Sequence, residues 1–134
     1  MDITLLDRIK ATLNDYLTSK ETEIGYKVDV VTKRPKSPVY PLVVLTEARN
    51  QTRADGHMFR NRISSVGYMV RVFAKEEPAV NNQELSRLIA YHCDLHMSFC
   101  WGFRRTSKNE FDADPYETVM LYSAALQENR QIIF

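Results

Sequence analysis

The fold is decided by a stretch near the end of the sequence, Tyr116-Glu117-Thr118-Val119-Met120-Leu121-Tyr122-Ser123-Ala124-Ala125-Leu126. We predict one long strand here. Successive side chains of a strand point to opposite faces of the sheet. One face therefore carries Val119, Leu121 and Ala125, and the other carries Met120, Tyr122, Ala124 and Leu126. Both faces are apolar, so this strand needs cover on two sides.

Four more stretches predict strands. Tyr26–Val30 alternates apolar and polar residues, which is typical of a half-buried strand. Leu42–Ala48 is apolar on both faces and indicates a central strand. Arg62–Ala74 is a long strand that pairs with its predecessor through an extended hairpin around Asp55-Gly56. Phe103–Lys108 is a short polar strand before an acidic turn.

Two helices complete the pattern. Apolar residues at spacings of three and four predict an amphipathic helix between Asp2 and Lys20. A second helix begins near Pro78, which suits a first helical turn, and Gly102 closes it. Its apolar face contains Leu85, Leu88, Ile89, His92, Cys93, His96, Phe99 and Cys100.

The predicted order is α-β-β-β-α-β-β, an α+β fold with a mostly antiparallel sheet and two helices packed on one face. Two helices cannot cover both faces of such a sheet. The apolar residues on the second face of Leu42–Ala48 and Tyr116–Leu126 then have no layer of their own chain above them. We expect them to be buried against another copy.

Length and composition exclude several classes of protein. The chain has 134 residues, 44% hydrophobic and 26% charged, which predicts one domain over 1–134. No stretch approaches the roughly 18 apolar residues of a membrane span, and the acidic start at Asp2 and Asp7 does not resemble a signal peptide. A net charge of +1 argues against a general nucleic-acid binder. Patches of both signs suit self-association, and a solvated surface is the commoner explanation for them.

Three histidine and cysteine side chains share one stripe of the second predicted helix. His92, His96 and Cys100 follow one another at intervals of four, as ligands of a zinc site could. His92 and Cys100 are separated by about 12 Å at 1.5 Å per residue, too far for one ion. We therefore expect half-buried histidines with hydrogen-bond partners.

Two acidic groups could hold a divalent cation in a small nuclease. One is the run Glu110, Asp112 and Asp114; the other combines Asp29 and Glu47 with Arg49. A polar turn before Pro115 needs the same carboxylates for other reasons. We predict no catalytic residue, no cofactor and no metal.

The whole pattern resembles the tail terminator (tail completion) proteins of long-tailed bacteriophages. The resemblance covers nearly the full length. Five segments carry it, together with the second helix after Pro78: Ile3–Leu17, the proline-rich lead into Tyr40-Pro41-Leu42-Val43-Val44-Leu45, the polar hairpin from Arg49 to Arg62, Tyr68–Ala74, and Gly102-Phe103-Arg104-Arg105 before the last strand.

The resemblance implies a homo-oligomeric, hexameric ring that caps the tail tube protein, stops its polymerisation and presents a surface to the head-tail connector of the neck. DNA passes through the lumen of such a ring without specific binding. The implied location is the virion, with the host cytoplasm during assembly. Two alternatives remain open: a connector or adaptor of the virion neck, and a small metal-dependent nuclease.

Three parts of the sequence are candidate assembly contacts. The hairpin, with Arg49, Arg53, Arg60 and Arg62, is longer than ordinary hairpin loops of about 2–5 residues, so we expect it to contact neighbouring subunits or the tube. On the last strand, Val119 and Leu121 are expected to face a neighbour. The tail ending in Phe134 could cross to the next subunit.

Overall fold

A computed structural model describes residues 5–53, 63–75, 82–113 and 115–127, with the backbone alone at 49–53, 63–66 and 125–127. In chain order its elements are helix α1 (Leu5–Ser19), short helix α2 (Glu21–Ile24), strands β1 (Asp29–Val31), β2 (Leu42–Arg53) and β3 (Ile63–Ala74), helix α3 (Asn82–Leu95), and strands β4 (Arg104–Phe111) and β5 (Tyr116–Gln127). A π-helical turn, His96–Cys100, continues α3 directly. Pro78, the predicted helix start, lies outside the described residues.

The strands form one sheet in the order β1-β2-β3-β5-β4. The pairs β2–β3, β3–β5 and β4–β5 are antiparallel, which confirms the predicted α+β fold with a mostly antiparallel sheet. The predicted element order omits α2. It also does not foresee that β1 and β2 are parallel. Parallel neighbours need a crossover connection, and residues 32–41 supply it.

The first predicted strand, Tyr26–Val30, is largely wrong. Only Asp29–Val31 pairs with the sheet, and Tyr26 is an exposed side chain. Alternation of apolar and polar residue types did not distinguish a strand from the irregular segment that leads into it, where Tyr26 and Lys27 are both exposed.

The hydrophobic core lies between one face of the sheet and the helices, and we call this the helix face. Val43 and Leu45 of β2, and Met120 and Tyr122 of β5, are fully or almost fully buried there against α1 and α3. A pair of buried hydroxyls also joins the two layers, since Ser86 Oγ lies 2.7 Å from Thr118 Oγ1. Of the two apolar sets of β5, the helices therefore cover the one that contains Met120.

The opposite side of the sheet, the open face, is covered at one corner by the chain itself. Leu42, Val44 and Phe73 form a second buried cluster there, with Tyr40 packed against it. The Arg34 guanidinium lies 4.5 Å from the centre of the Phe73 ring. The expectation that a second copy must cover the apolar residues of Leu42–Ala48 is thus wrong for this corner, because the proline-rich crossover covers it.

The end of the second helix differs from the predicted stripe. In a π-helical turn each residue advances less around the axis than in an α-helix, so His96 and Met97 stay buried while Phe99 and Cys100 are exposed. Phe99 has 80% of its side chain exposed. The backbone then closes through the Phe103 N–H, which donates to the Met97 carbonyl at 3.0 Å across Gly102, whose φ of 71° is left-handed as a helix terminus requires.

Candidate functional site

The uncovered part of the open face contains a half-buried apolar strip. Met69 of β3 is in register with Leu121 of β5, and Arg71 is in register with Val119. Met69, Val119 and Leu121 are each half-buried, whereas their neighbours Val70, Met120 and Tyr122 on the helix face are buried. The structure therefore places Val119 and Leu121 together on the face that the helices do not cover.

An ion pair separates this strip from the covered corner. The Arg71 Nε donates to the Glu117 Oε2 at 2.6 Å, and the guanidinium also lies 5.0 Å from the Phe73 ring centre. In the register of the sheet Glu117 is opposite Phe73 and Arg71 is opposite Val119, so the ion pair lies between the Phe73 corner and the strip. The open face thus has a self-covered apolar corner, a polar boundary and an apolar strip that no described residue of the chain covers completely.

The hairpin is shorter than predicted. β2 and β3 stay paired as far as Arg53 and Ile63, so the connection is 54–62 instead of the fourteen residues from Arg49 to Arg62. Arg49 and Arg53 lie within β2, and a bulge between Glu47 and Arg49 interrupts the pairing at Ala48. Their side chains, and all of Arg60, Arg62 and Phe134, lie outside the described part of the chain.

The two histidines are buried in the helix layer, and their surroundings favour neutral rings. The Trp101 Nε1–H, which can only donate, lies 3.1 Å from Thr12 Oγ1 and 3.2 Å from His96 Nε2. Thr12 Oγ1 also lies 3.0 Å from the same Nε2, so these three groups form one cluster between α1 and the π-helical turn. His96 Nδ1 has no partner among the described residues.

Burial lowers the pKa of both rings. For His96, removal from water disfavours the charged form of the ring and so lowers its pKa. For His92 the burial effect is partly offset by the Glu23 carboxylate, 3.5 Å from Nε2. His92 Nδ1 also lacks a described partner. The expectation that both histidines are satisfied holds only for their Nε2 atoms.

The carboxylates proposed for a nuclease do not converge. Asp29 is in register with Leu42, on the open face, whereas Glu47 lies five residues further along β2, about 17 Å away at ~3.3–3.4 Å per residue. An odd separation also puts Glu47 on the opposite face. Within 5–53, 63–75, 82–113 and 115–127, no three His, Cys, Asp or Glu side chains are placed to hold a metal ion.

In the other acidic group, the run Glu110, Asp112 and Asp114, the Glu110 carboxylate already has partners. The Arg87 guanidinium donates to both oxygens of Glu110, at 2.7 and 3.2 Å, and the Tyr116 hydroxyl donates to Oε1 at 2.7 Å. These hydrogen bonds, that of Arg87 first, lower the pKa of Glu110. Asp112 is exposed, and Asp114 lies outside the described residues. Glu110 therefore tethers α3 to β4 and β5.

Sequence reasoning missed two features of the candidate surface. Met69 belongs to the strip, and Phe111 and Val39 are exposed apolar residues near the two edges of the sheet. The pairing register was needed to place them, and only the alternation around Met69 gave a signal.

No helix among the described residues is long and apolar enough to cross a membrane. The chain matches no protein-family model and no curated protein sequence.

Proposed function

We propose that this chain is the subunit of a homo-oligomeric, hexameric ring that caps the tail tube of a long-tailed bacteriophage. The ring stops polymerisation of the tube and presents a surface to the head-tail connector, and DNA passes through its lumen without specific binding. The site of action is the virion, after assembly in the host cytoplasm. The chain acts as a structural component without catalytic chemistry of its own.

One observation carries this proposal: the helices cover one face of the sheet, and the apolar strip of Met69, Val119 and Leu121 remains half-buried on the other. Exposed apolar area on a small domain marks a surface that meets another protein. The α+β fold with its mostly antiparallel sheet also supports the proposal. The separation of Asp29 from Glu47, and the partners of Glu110, give the nuclease alternative no support.

The test combines mass in solution with capping of tubes. Purified protein is added to polymerising tail tube protein, and tube length and end decoration are measured by electron microscopy. We expect rings on tube ends and short tubes with the wild type, and neither with Leu121→Asp. A matched control, Thr22→Asp, places the same charge on exposed α2 on the helix side, and should cap normally.

Circular dichroism of both variants separates loss of assembly from loss of folding. Leu121 is half-buried, so Leu121→Asp should keep the wild-type spectrum. The proposal fails if the wild type stays monomeric at high concentration and leaves tube growth unchanged, or if Leu121→Asp folds and caps as well as Thr22→Asp.

A further inference from the structure

Among the described residues, β1 and β4 are the two edge strands of the sheet, and their directions suit pairing with each other. β1 is parallel to β2, and three antiparallel steps then lead through β3 and β5 to β4. β4 therefore runs antiparallel to β1. If copies are related by rotation about an axis along the strands, β4 of one copy meets β1 of the next in antiparallel orientation, the pairing that tolerates one solvated face.

The two edges also match in height. The register runs in one row from Asp29 through Leu42, Phe73 and Glu117 to Phe111, and in a second row from Val31 to Asn109. The three residues of β1 are thus level with 109–111. This is the regular part of β4, because its pairing with β5 is interrupted further back, between Arg105 and Ser107.

A groove runs along the free edge of β1. It has a volume of about 520 Å³ and lies between α1, which contributes Asp7, Lys10 and Asn14, and the crossover, which contributes Val39. Among the described residues, no backbone hydrogen bond from outside the sheet reaches 29–31. The edge can therefore accept a further strand, as in peptide recognition by strand addition.

β4 has the chemistry of a strand that fits this groove. Its eight residues are exposed except Ser107, and Phe111 at the end has half of its side chain exposed. Phe111 lies on the open side of the sheet, in the same register row as Asp29. Asp29 and Val39 of the crossover both line the groove, and Val39 is 70% exposed. Pairing would bury these two apolar side chains together.

We infer that β4 of one copy pairs with β1 of the next, in the groove between α1 and the crossover, so that the subunits join head to tail into a closed ring with a continuous sheet. This inference rests on the proposed function, because it specifies how that ring closes. A contact between two different surfaces of the same chain closes into a ring when the rotation between copies allows it.

Cysteine pairs test the register directly. In a Cys100→Ser background, which removes the exposed native thiol, Asp29→Cys is combined in turn with Ser107→Cys, Asn109→Cys or Phe111→Cys. All three β4 positions lie on the open side of the sheet. Ser107, Asn109 and Phe111 are displaced along the strand by four, two and zero residues from the position level with Asp29. We expect oxidation to give a ladder of covalent oligomers up to the ring in at least one combination. Single-cysteine variants, and Asp29→Cys with Thr22→Cys, should give none.

A matched pair of phenylalanine variants provides a second measurement. Phe111→Asp should shift the protein to folded monomers, whereas Phe99→Asp, on the more exposed ring at the end of α3, should assemble as the wild type does. A wild-type ring that forms without cross-links in all three combinations, or that tolerates Phe111→Asp, overturns the inference and leaves the proposed function standing. A monomeric wild type that does not cap tubes overturns both.

Discussion

The buried hydroxyl pair between α3 and the sheet should show a strong energetic coupling. Ser86 and Thr118 are completely buried, and their side-chain oxygens are 2.7 Å apart. Ser86→Ala leaves the Thr118 hydroxyl without this partner, and an unsatisfied buried hydroxyl costs about 1–3 kcal/mol. Thr118→Val keeps the shape and leaves Ser86 Oγ a long contact of 3.5 Å with the Val72 carbonyl, so its cost should be at the lower end of that range.

The double variant removes both hydroxyls together. Replacement of both partners by apolar groups of similar shape is nearly neutral, so its free energy of unfolding should be close to that of the wild type. The coupling energy from the cycle should then equal the sum of the two single-variant costs, about 2–4 kcal/mol. Urea unfolding followed by circular dichroism at one protein concentration measures all four proteins. If the double variant loses as much stability as both single variants combined, the two hydroxyls do not satisfy each other.

The remaining predictions concern the two faces, the histidines and the hairpin. Met120→Asp should give insoluble protein because the charge would enter the core, whereas Leu121→Asp should give soluble, folded protein; equal solubility of the two would contradict the assignment of faces. The pKa values of His92 and His96 are lowered in the folded state, so the unfolded chain, whose histidines titrate near 6.5, binds more protons as the pH falls. The melting temperature should therefore fall as the pH drops from 7.5 to 5.5, and His96→Gln should weaken that dependence. Replacement of 54–62 by a two-residue turn should keep the circular dichroism spectrum and impair tube capping, and normal capping would exclude a role of the hairpin.

Periodicity was sufficient to predict the sheet but not its edges. The long strands β3 and β5 have strong alternation, and the structure finds both near the predicted bounds. β1 was misplaced because its three residues pair in parallel, which depends on where the crossover passes and leaves no local signal. Phe99 was assigned to the apolar stripe because an α-helical period continues through it, whereas the π-helical turn changes the period at His96.

The candidate surface was partly predictable for the same reason. Alternation placed Val119 and Leu121 on one face of β5, and the position of the helices decided that this face is the open one. The self-covered corner could not be foreseen, since it depends on a crossover that folds over Leu42 and Phe73. The match between Phe111 and the groove at β1 needed the register across all five strands.

The contact between Trp101 and His96 has a practical consequence. Trp101 is the sole tryptophan of the chain, and its Nε1–H lies 3.1 Å from Thr12 Oγ1 and 3.2 Å from His96 Nε2. The tryptophan fluorescence of the protein therefore comes from one indole at the junction of α1 and the π-helical turn. Protonation of the neighbouring imidazole should quench this emission before the helix layer separates from the sheet, so one optical signal can follow the charge of His96 while the far-ultraviolet spectrum follows the fold.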